Sequence, residues 1–247
     1  MAIPRIVPAL IDKETSFCPG CGHGIVIRLI GECLEELGQA QNIIFPIGVG
    51  CSSLLGGGLS VDRFHCPHGR ASAVATGMKR VSPGVTVVAY QGDGDAYSIG
   101  LSETLNAAYR NENITMIAVN NTNFGMTGGQ MSWTTLPGQV TSTTPQGRDC
   151  ARTGQPLRFP ELVATQFNVA YAARGAVTSP KRVTTLKTYI KNALEAQINN
   201  EGYSTVEVLS PCPTNWGLDA VASMRRIEEE IVQYYPLGEF KTREVRS

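Results

Sequence analysis

The chain has 247 residues with 21 basic and 21 acidic side chains, so its formal net charge is zero. This length suits one large α/β domain or two small ones with a substantial core, and we expect a single domain over residues 1–247. The balanced charge argues against nucleic-acid binding, and no apolar run approaches the roughly 20 residues that cross a bilayer. Residues 1–13 lack the pattern of a signal peptide, so we expect a cytoplasmic protein without nucleic-acid or membrane partners.

Apolar periodicity predicts helices and strands that alternate along the chain. The predicted helices cover residues 25–37, 71–80, 96–111, 160–167, 181–199 and 219–234, and the predicted strands cover residues 43–50, 85–89, 114–119, 169–173 and 204–209. Residues 54–60 and 124–154 are expected to be loops, the first of them flexible. Pro46 within the first strand suggests an edge or an irregularity. The alternation predicts an α/β fold in which helices cover both faces of a parallel sheet.

Polar residues follow two of the predicted strands at the point where each ends, the Gly-Asp-Gly segment 92–94 and the Asn pair 120–121. In an open parallel sheet, ligands bind outside these strand ends. Glycine amides at a helix amino terminus suit a phosphate, and a carboxylate beside a phosphate needs a hard cation such as Mg²⁺ between them. The side chains of Asp93 and Asn121 and the carbonyl of Asn123 are the candidate metal ligands. An ordinary turn with a capping Asp is the alternative.

The spacing of these groups resembles the thiamine-diphosphate fingerprint, because Asn121 follows Asp93 by 28 residues at the end of the next strand. The resemblance implies thiamine diphosphate and Mg²⁺ as cofactors, with Asp93, Asn121 and the Asn123 carbonyl holding the metal. The long loop that follows offers amides and the Thr127 hydroxyl to a diphosphate. The other expected cofactor contacts are Gly50, Cys51, Ser52, His68, Gly92, Gly94, Asp95, Gly125 and Met126.

Four of the seven cysteines draw attention by their positions. Cys18 and Cys21 form a C-x-x-C, which alone is compatible with a thioredoxin-like pair, half of a zinc site or half of an iron–sulfur site. A thioredoxin pair follows a strand, which Cys18 lacks, and a zinc site usually has a second close pair, which this chain lacks. Cys51 and Cys212 instead follow predicted strands, at the same sheet edge as Asp93. Four thiolates there would suit a 4Fe-4S cluster.

The chain is similar over most of its length to the small, cofactor-binding β subunit of the 2-oxoacid:ferredoxin oxidoreductases. The matching segments, in the family's order, are Cys-Pro-Gly-Cys-Gly-His-Gly at 18–24, Gly-Val-Gly-Cys-Ser at 48–52, His-Gly-Arg at 68–70, Gly-Asp-Gly-Asp at 92–95, Thr-Gly-Gly-Gln at 127–130 and Cys-Pro-Thr-Asn-Trp-Gly at 212–217. The resemblance implies a diphosphate-binding domain in which Cys18, Cys21, Cys51 and Cys212 hold a 4Fe-4S cluster next to thiamine diphosphate.

Other residues of the chain do not match a ligand position of the family. Cys66 and Cys150 are expected to be free thiols, and Cys33 lies on the apolar face of a predicted helix, where it packs in the core. Many family members carry His where this chain has Glu103, so the role of Glu103 is open.

The resemblance implies oxidative decarboxylation of a 2-oxoacid to an acyl-coenzyme A, with electrons passed through the cluster to ferredoxin or a similar acceptor. As catalytic candidates, His68 would donate to the keto oxygen and Arg70 would hold the substrate carboxylate or a phosphate. The alternative is that both residues only brace their loop. The expected substrate is a branched-chain 2-oxoacid, and 2-oxoglutarate or an aromatic 2-oxoacid of the phenylglyoxylate or indolepyruvate type are alternatives. Non-redox thiamine-dependent decarboxylation and a zinc-bound scaffold are competing functions.

Thiamine enzymes use a glutamate against the aminopyrimidine ring, and no glutamate of this chain stands in a recognisable context for that role. In the family it comes from an α subunit that carries the pyrimidine-binding domain. The resemblance therefore implies a hetero-oligomer with an α subunit, a γ subunit and a ferredoxin-like δ subunit. A chain with only the diphosphate half is expected to be inactive alone.

Overall fold

The computed structural model describes residues 7–243. The predictions for residues 1–6, and for the chain end from residue 244, lie outside the described residues. The strands are β1 (Ile43–Ile47), β2 (Asp62–His65), β3 (Thr86–Gly92), β4 (Thr115–Asn120), β5 (Tyr171–Ala176), β6 (Ser204–Leu209) and β7 (Gly238–Lys241). The helices are α1 (His23–Glu36), α2 (Ala71–Val81), α3 (Leu101–Tyr109), α4 (Cys150–Thr153), α5 (Phe159–Gln166), α6 (Pro180–Ile198), α7 (Pro213–Trp216), α8 (Ala220–Arg226) and α9 (Val232–Tyr234).

The strands form one sheet in the order β2-β1-β3-β4-β6-β5-β7. All neighbouring pairs are parallel except β5 and β7, which are antiparallel. The prediction of a parallel sheet between helices is therefore confirmed, with one antiparallel strand added at an edge. Among the described residues, no helix has the length and apolar character that crossing a bilayer requires.

Both faces of the sheet are buried because successive side chains of a strand point to opposite faces. In β3, Val88 and Tyr90 join the core beneath α1 and α6. Val87 and Ala89 join the core beneath α2, α3 and α5. This two-sided burial explains why the central strands are continuous apolar runs in the sequence.

The two edge strands were not predicted from the sequence. All four residues of β2 are exposed, and β7 has no fully buried residue, so neither segment carries an apolar pattern. Of the two expectations for Pro46, an edge or an irregularity, the edge was wrong, because β1 lies between β2 and β3. The segment 54–60, expected to be a flexible loop, is largely occupied by the 3₁₀ helix Cys51–Gly57.

The helix predicted over residues 96–111 is divided in two. A π-helical segment, Gly94–Ile99, begins at the last residue of the Gly-Asp-Gly segment, and α3 begins after Gly100. A side chain at Gly100 would overlap the carbonyl oxygen of Gly69. The close approach of the loop before α2 therefore requires glycine at this break. The helix predicted over 219–234 is likewise interrupted by a π-helical segment, Ile227–Ile231.

A fully buried arginine joins β5 to β6 and to α5. Arg174 Nε donates to Glu207 at 2.6 Å, and its two terminal nitrogens donate to Glu161 at 2.7 Å each. Arg174 and Glu207 are 0% exposed. Glu207 also accepts from Asn120 Nδ2 at 3.2 Å, which connects this network to the end of β4. A buried ion pair of this kind is costly to break, because either partner alone is an uncompensated charge.

Replacing the buried arginine is expected to destabilise the fold. Arg174→Met leaves Glu207 buried without its cation, and the expected loss is about 3–5 kcal/mol of unfolding free energy, measured by urea denaturation. The matched control is Arg182→Met, since Arg182 pairs with Glu228 where the two side chains are 42% and 36% exposed. That change is expected to cost less than about 1 kcal/mol. Equal losses in the two variants would contradict this account.

Candidate cofactor site

A cleft lies at the carboxyl ends of β1, β3 and β4. Its lining residues are His23, Val49, Gly50, Cys51, His68, Gly92, Asp93, Gly94, Asp95, Asn121, Asn123, Phe124, Gly125, Met126 and Thr127. This set contains every predicted cofactor-binding residue except Ser52. Ser52 is buried behind the cleft, where its hydroxyl donates to the Gly48 carbonyl at 3.2 Å.

Three oxygen atoms converge at the base of the cleft. The side-chain oxygen of Asn121 lies 2.7 Å from the carbonyl oxygen of Asn123 and 3.1 Å from Oδ1 of Asp93. In this orientation of the amide none of these atoms carries a hydrogen, so the three oxygens repel one another unless a cation lies between them or the Asn121 amide is turned. An octahedral Mg²⁺ with oxygen ligands at about 2.1 Å separates neighbouring ligands by about 3 Å. The three predicted metal ligands therefore fit a magnesium ion.

The orientation of the Asn121 amide bears on this fit. With the amide turned by half a turn, its nitrogen would donate to both the Asn123 carbonyl and Asp93. In the observed orientation the side-chain oxygen accepts from the backbone N–H of Asn123 at 3.3 Å. The same three groups can thus hold either a shared cation or a donor nitrogen.

A left-handed turn at Thr122 brings Asn121 and Asn123 to the same side. Thr122 has φ 60, a conformation in which a β-branched residue is an outlier. Three neighbours hold it there. Thr135 Oγ1 donates to the Thr122 carbonyl at 2.6 Å, Asn120 Oδ1 accepts from the Thr122 N–H at 3.0 Å, and Gln139 donates to the Thr122 hydroxyl at 3.0 Å. Such strain persists only where the surroundings enforce it, and it concentrates at functional sites.

Asp93 is buried, and one of its oxygens is already engaged. Oδ2 accepts from the hydroxyl of Ser132 at 2.7 Å and from the hydroxyl of Thr134. Burial raises the pKa of Asp93 to about 6, against the opposing effect of these hydrogen bonds. The two hydroxyls engage Oδ2, and Oδ1 faces Asn121, whose backbone also forms a hydrogen bond with Asp93 that lowers the pKa of this carboxyl.

Arg148 fixes the loop that supplies these hydroxyls. It is 4% exposed. Its guanidinium donates to the carbonyl oxygens of Trp133 at 3.2 Å and Gly154 at 3.0 Å, and also to that of Thr135. No sequence pattern marked Arg148, Ser132 or Thr134 as part of the site. The contacts of Ser132 and Thr134 to Asp93, and those of Arg148 to the loop carbonyls, depend on how a long loop folds back, which local spacing does not encode.

Asp95 connects three segments around the cleft. Its carboxylate accepts from the backbone N–H of Gly69 at 2.7 Å, from that of Val49 at 3.2 Å and from Gln91 Nε2 at 2.6 Å. A side chain at Gly48 would overlap this carboxylate. Asp95 therefore holds the loops after β1 and β2 against the start of the π-helical segment.

The two candidate catalytic residues are placed differently. His68 lines the cleft, and its Nδ1 contacts Asp95 Oδ1, although it is not aligned for a hydrogen bond. Arg70 is outside the cleft lining formed by the described residues, and it pairs with Glu103 at 2.8 Å. The structure thus gives Glu103 a partner and does not bring Arg70 to the cofactor site.

The four predicted cluster cysteines lie beside the cleft. Cys51 lines it, Cys212 is buried at the amino terminus of α7, and Cys18 is exposed. Burial, together with a smaller effect of the nearby thiols, raises the pKa of Cys21 to about 11 and that of Cys51 to about 12. These mutual effects place the four sulfur atoms in one neighbourhood. Four ionised thiols so close together need a positive group between them, as an iron–sulfur cluster provides.

The four thiols do not meet at one point. Within residues 7–243, no three or more His, Cys, Asp or Glu side chains are arranged around a single ion position. A four-iron cluster binds each cysteine at a different iron, so it does not require such convergence.

A family model for the thiamine pyrophosphate enzyme, C-terminal TPP binding domain, matches residues 48–208. Ketoisovalerate oxidoreductase subunit VorA of Methanothermobacter thermautotrophicus is 44% identical over 229 residues, which are 93% of this chain and 48% of that protein. The 2-oxoglutarate synthase subunit KorB of the same organism is 38% identical over 81% of this chain and 66% of its own length. The chain belongs to the β subunits of the 2-oxoacid:ferredoxin oxidoreductases.

A solved structure agrees with this assignment. The 2-oxoglutarate:ferredoxin oxidoreductase of Magnetococcus marinus, described with 2-oxoglutarate, coenzyme A and succinyl-CoA bound, is 25% identical with a TM-score of 0.77. The match covers 100% of this β subunit and 88% of that chain. The β subunit spans only about half of the VorA relative, 48% of its length.

Three lining residues of this β subunit, His23, Val49 and Phe124, were not predicted as cofactor contacts. His23 is buried, stacks on Phe17 with ring centres 4.8 Å apart, and its Nδ1 lies 2.6 Å from the Tyr90 hydroxyl. Burial lowers the pKa of His23 to about 3, so this ring is neutral at neutral pH. Phe124 packs so closely on Gly94 that a side chain there would overlap its ring. His23 stands within the Cys-Gly-His motif, which was the available signal, whereas nothing marked Phe124.

Removing a hydroxyl that donates to Asp93 is expected to weaken cofactor binding in this β subunit. Thr134→Val keeps the shape but deletes a hydrogen bond to a charged group, which is worth about 1.5–3 kcal/mol, or about tenfold or more in the dissociation constant of thiamine diphosphate with Mg²⁺. Fluorescence or calorimetric titration of the purified complex measures this constant. Thr184→Val, at an exposed position of α6, is the control and is expected to leave it unchanged. Unaltered affinity in Thr134→Val would contradict the proposed role.

Proposed function

We propose that this β subunit binds two cofactors, thiamine diphosphate held through Mg²⁺ and a separate 4Fe-4S cluster. With them it serves the oxidative decarboxylation of a 2-oxoacid to an acyl-coenzyme A. The single observation that supports this most is the position of Cys51. It lines the same cleft as Asp93, Asn121 and Asn123, so a cluster held by Cys51 would lie beside the cofactor.

Each cofactor has a group of residues suited to it. The oxygen atoms of Asp93, Asn121 and Asn123 would hold Mg²⁺, and the loop with Gly125, Met126 and Thr127 would face the diphosphate. The thiolates of Cys18, Cys21, Cys51 and Cys212 would hold the cluster. Bound thiamine diphosphate supplies an electron sink for decarboxylation, and the cluster accepts electrons one at a time.

The residues of this chain prepare the cleft for that chemistry. His68, whose Nδ1 faces Asp95, keeps Nε2 for the keto oxygen of a substrate. Val49, Phe124 and Met126 supply the apolar walls that exclude water. Arg70 is retained as a candidate for the substrate carboxylate only if it leaves Glu103, because the two are paired.

The composition of the cleft favours a branched-chain 2-oxoacid. Within the described part of the chain, no Arg or Lys lines the cleft. A second carboxylate, as in 2-oxoglutarate, would call for such a cation. The VorA relative, named for ketoisovalerate, is 44% identical, and the KorB relative, named for 2-oxoglutarate, is 38% identical. Aromatic 2-oxoacids are the remaining alternative.

Further subunits are part of this proposal. Among residues 7–243, no glutamate lines the cleft, so the group that activates the aminopyrimidine would come from an α subunit with the pyrimidine-binding domain. A γ subunit and a ferredoxin-like δ subunit would complete the complex, and ferredoxin or a similar acceptor would take the electrons. We expect this complex in the cytoplasm.

The test is electron transfer from 2-oxoacids by the anaerobically purified complex. With ketoisovalerate and coenzyme A, the wild type is expected to reduce a low-potential dye, with a higher kcat/KM than with 2-oxoglutarate or phenylglyoxylate. Cys51→Ser is expected to lose about 100-fold or more, because a cluster ligand is missing. Cys150→Ser, which alters a free thiol far from the cluster motifs in the sequence, is the matched control.

Two results would overturn this proposal. Dye reduction that survives in Cys51→Ser would exclude the cluster from the electron path. Carbon dioxide release without dye reduction in the wild type would indicate a non-redox thiamine-dependent decarboxylase.

A further inference from the structure

Asn215 contacts both halves of the candidate site. It lies in α7, and its Nδ2 donates to the carbonyl oxygen of Gly125 at 2.7 Å and to the sulfur of Cys212 at 3.3 Å. Gly125 belongs to the loop that lines the cleft, and Cys212 is a proposed cluster ligand. One side-chain amide therefore joins the loop 124–130, called the diphosphate loop below, to the proposed cluster ligand Cys212.

The orientation of this amide is determined by its partners. A carbonyl oxygen and a thiolate sulfur both accept hydrogen bonds, so the nitrogen must face them and the oxygen must face away. On the other side of the amide, a side chain at Gly129 would come within 3.1 Å of Asn215 Oδ1. Gly129 has φ 77, which favours glycine independently. The loop 124–130 thus packs directly on Asn215.

The backbone around Asn215 is also fixed. Pro213 starts α7, the Trp216 N–H donates to the Cys212 carbonyl at 3.0 Å, and Gly217 ends the helix in the left-handed conformation with φ 63. The Asn215 side chain therefore starts from a rigid turn, which reduces the entropy lost when it forms two hydrogen bonds.

Gly125 lies between the metal ligands and the cysteines. A side chain at Gly125 would come within 3.2 Å of Asn121 Nδ2 and within 3.3 Å of the Cys51 sulfur. The carbonyl that Asn215 holds therefore belongs to the residue at which the two proposed cofactor sites touch. A shift of Gly125 would therefore change the geometry of both proposed cofactor sites.

A hydrogen bond to a ligand sulfur changes the energetics of a cluster. It draws negative charge from the sulfur, and the reduced cluster carries one more negative charge than the oxidised one. The bond therefore stabilises the reduced state more and raises the reduction potential. The bond is also stronger to a thiolate ligand than to a free thiol, because it is then charge-assisted.

We infer that Asn215 is a positioning residue that couples the two cofactors: it raises the reduction potential of the cluster through Cys212 and holds the diphosphate loop through Gly125. This role rests on the proposed function. It adds a residue that touches neither the substrate nor the reacting atoms but links electron acceptance to cofactor binding.

The experiment compares Asn215→Leu and Asn215→Asp with wild type in the anaerobic complex. Iron content and the electron paramagnetic resonance signal of the reduced cluster come first, followed by a redox titration and the dissociation constant of thiamine diphosphate. Both variants are expected to keep the cluster, to shift its midpoint potential to more negative values and to weaken cofactor binding several-fold. Asn215→Asp is expected to shift the potential further, because it replaces a donor by a negative charge.

Asn106→Asp is the matched control, since Asn106 is exposed on α3 and its amide donates only within its own helix at 2.8 Å. It is expected to change neither quantity. If both Asn215 variants keep the cluster at the wild-type potential and bind the cofactor with unchanged affinity, the role of Asn215 is overturned and the proposed function is not. If Asn215→Leu does not assemble, the nearly isosteric Asn215→Asp decides. A wild-type complex without iron would overturn the proposed function and this role with it.

Discussion

The candidate site depends on one buried carboxylate, Asp93, whose hydrogen-bond partners among residues 7–243 are uncharged. Asp93 is 2% exposed, and its hydrogen bonds come from the hydroxyls of Ser132 and Thr134 and from the backbone of Asn121. Burying an unpaired carboxylate is costly, and two hydroxyls offset only part of that cost. The side-chain oxygen of Asn121 lies 3.1 Å from the other oxygen of Asp93, Oδ1. A divalent cation between these oxygens would offset the remaining cost, which is the physical reason for the proposal of Mg²⁺ at this position.

Comparison of Asp93 with Asp95 shows why only one of them is suited to a metal. The two carboxylates are two residues apart and both are buried. Asp95 accepts from three N–H groups and contacts His68, so its oxygens are occupied by donors of the protein. Asp93 lines the cleft, and its partners are two hydroxyls and the backbone of Asn121. We therefore propose the first carboxylate for ligand binding, whereas the second holds the loops that shape the cleft.

Much of this arrangement follows from the sequence for physical reasons. The central strands are buried on both faces, so their apolar runs identify them, and parallel strands bring Cys51, Asp93 and Asn121 to one edge. The edge strands β2 and β7 escape because their residues are exposed or only partly buried. Ser132 and Thr134 could not be predicted as site residues, because they lie 39 or more positions from Asp93 in the sequence. Arg148 could not be predicted either, because it binds carbonyl oxygens within a loop that has no periodic pattern. Arg70 was linked to the site by its motif, but its pairing with Glu103 depends on side-chain packing.

The most direct measurement is the content of iron, acid-labile sulfide and zinc in the anaerobically purified complex, together with its visible spectrum, for wild type and Cys212→Ser. The account predicts about four irons and four sulfides assignable to the β subunit, with the matching absorption, and their loss in the variant. Zinc in place of iron, or no metal at all in the wild type, would contradict the view that a cluster lies beside the thiamine diphosphate site.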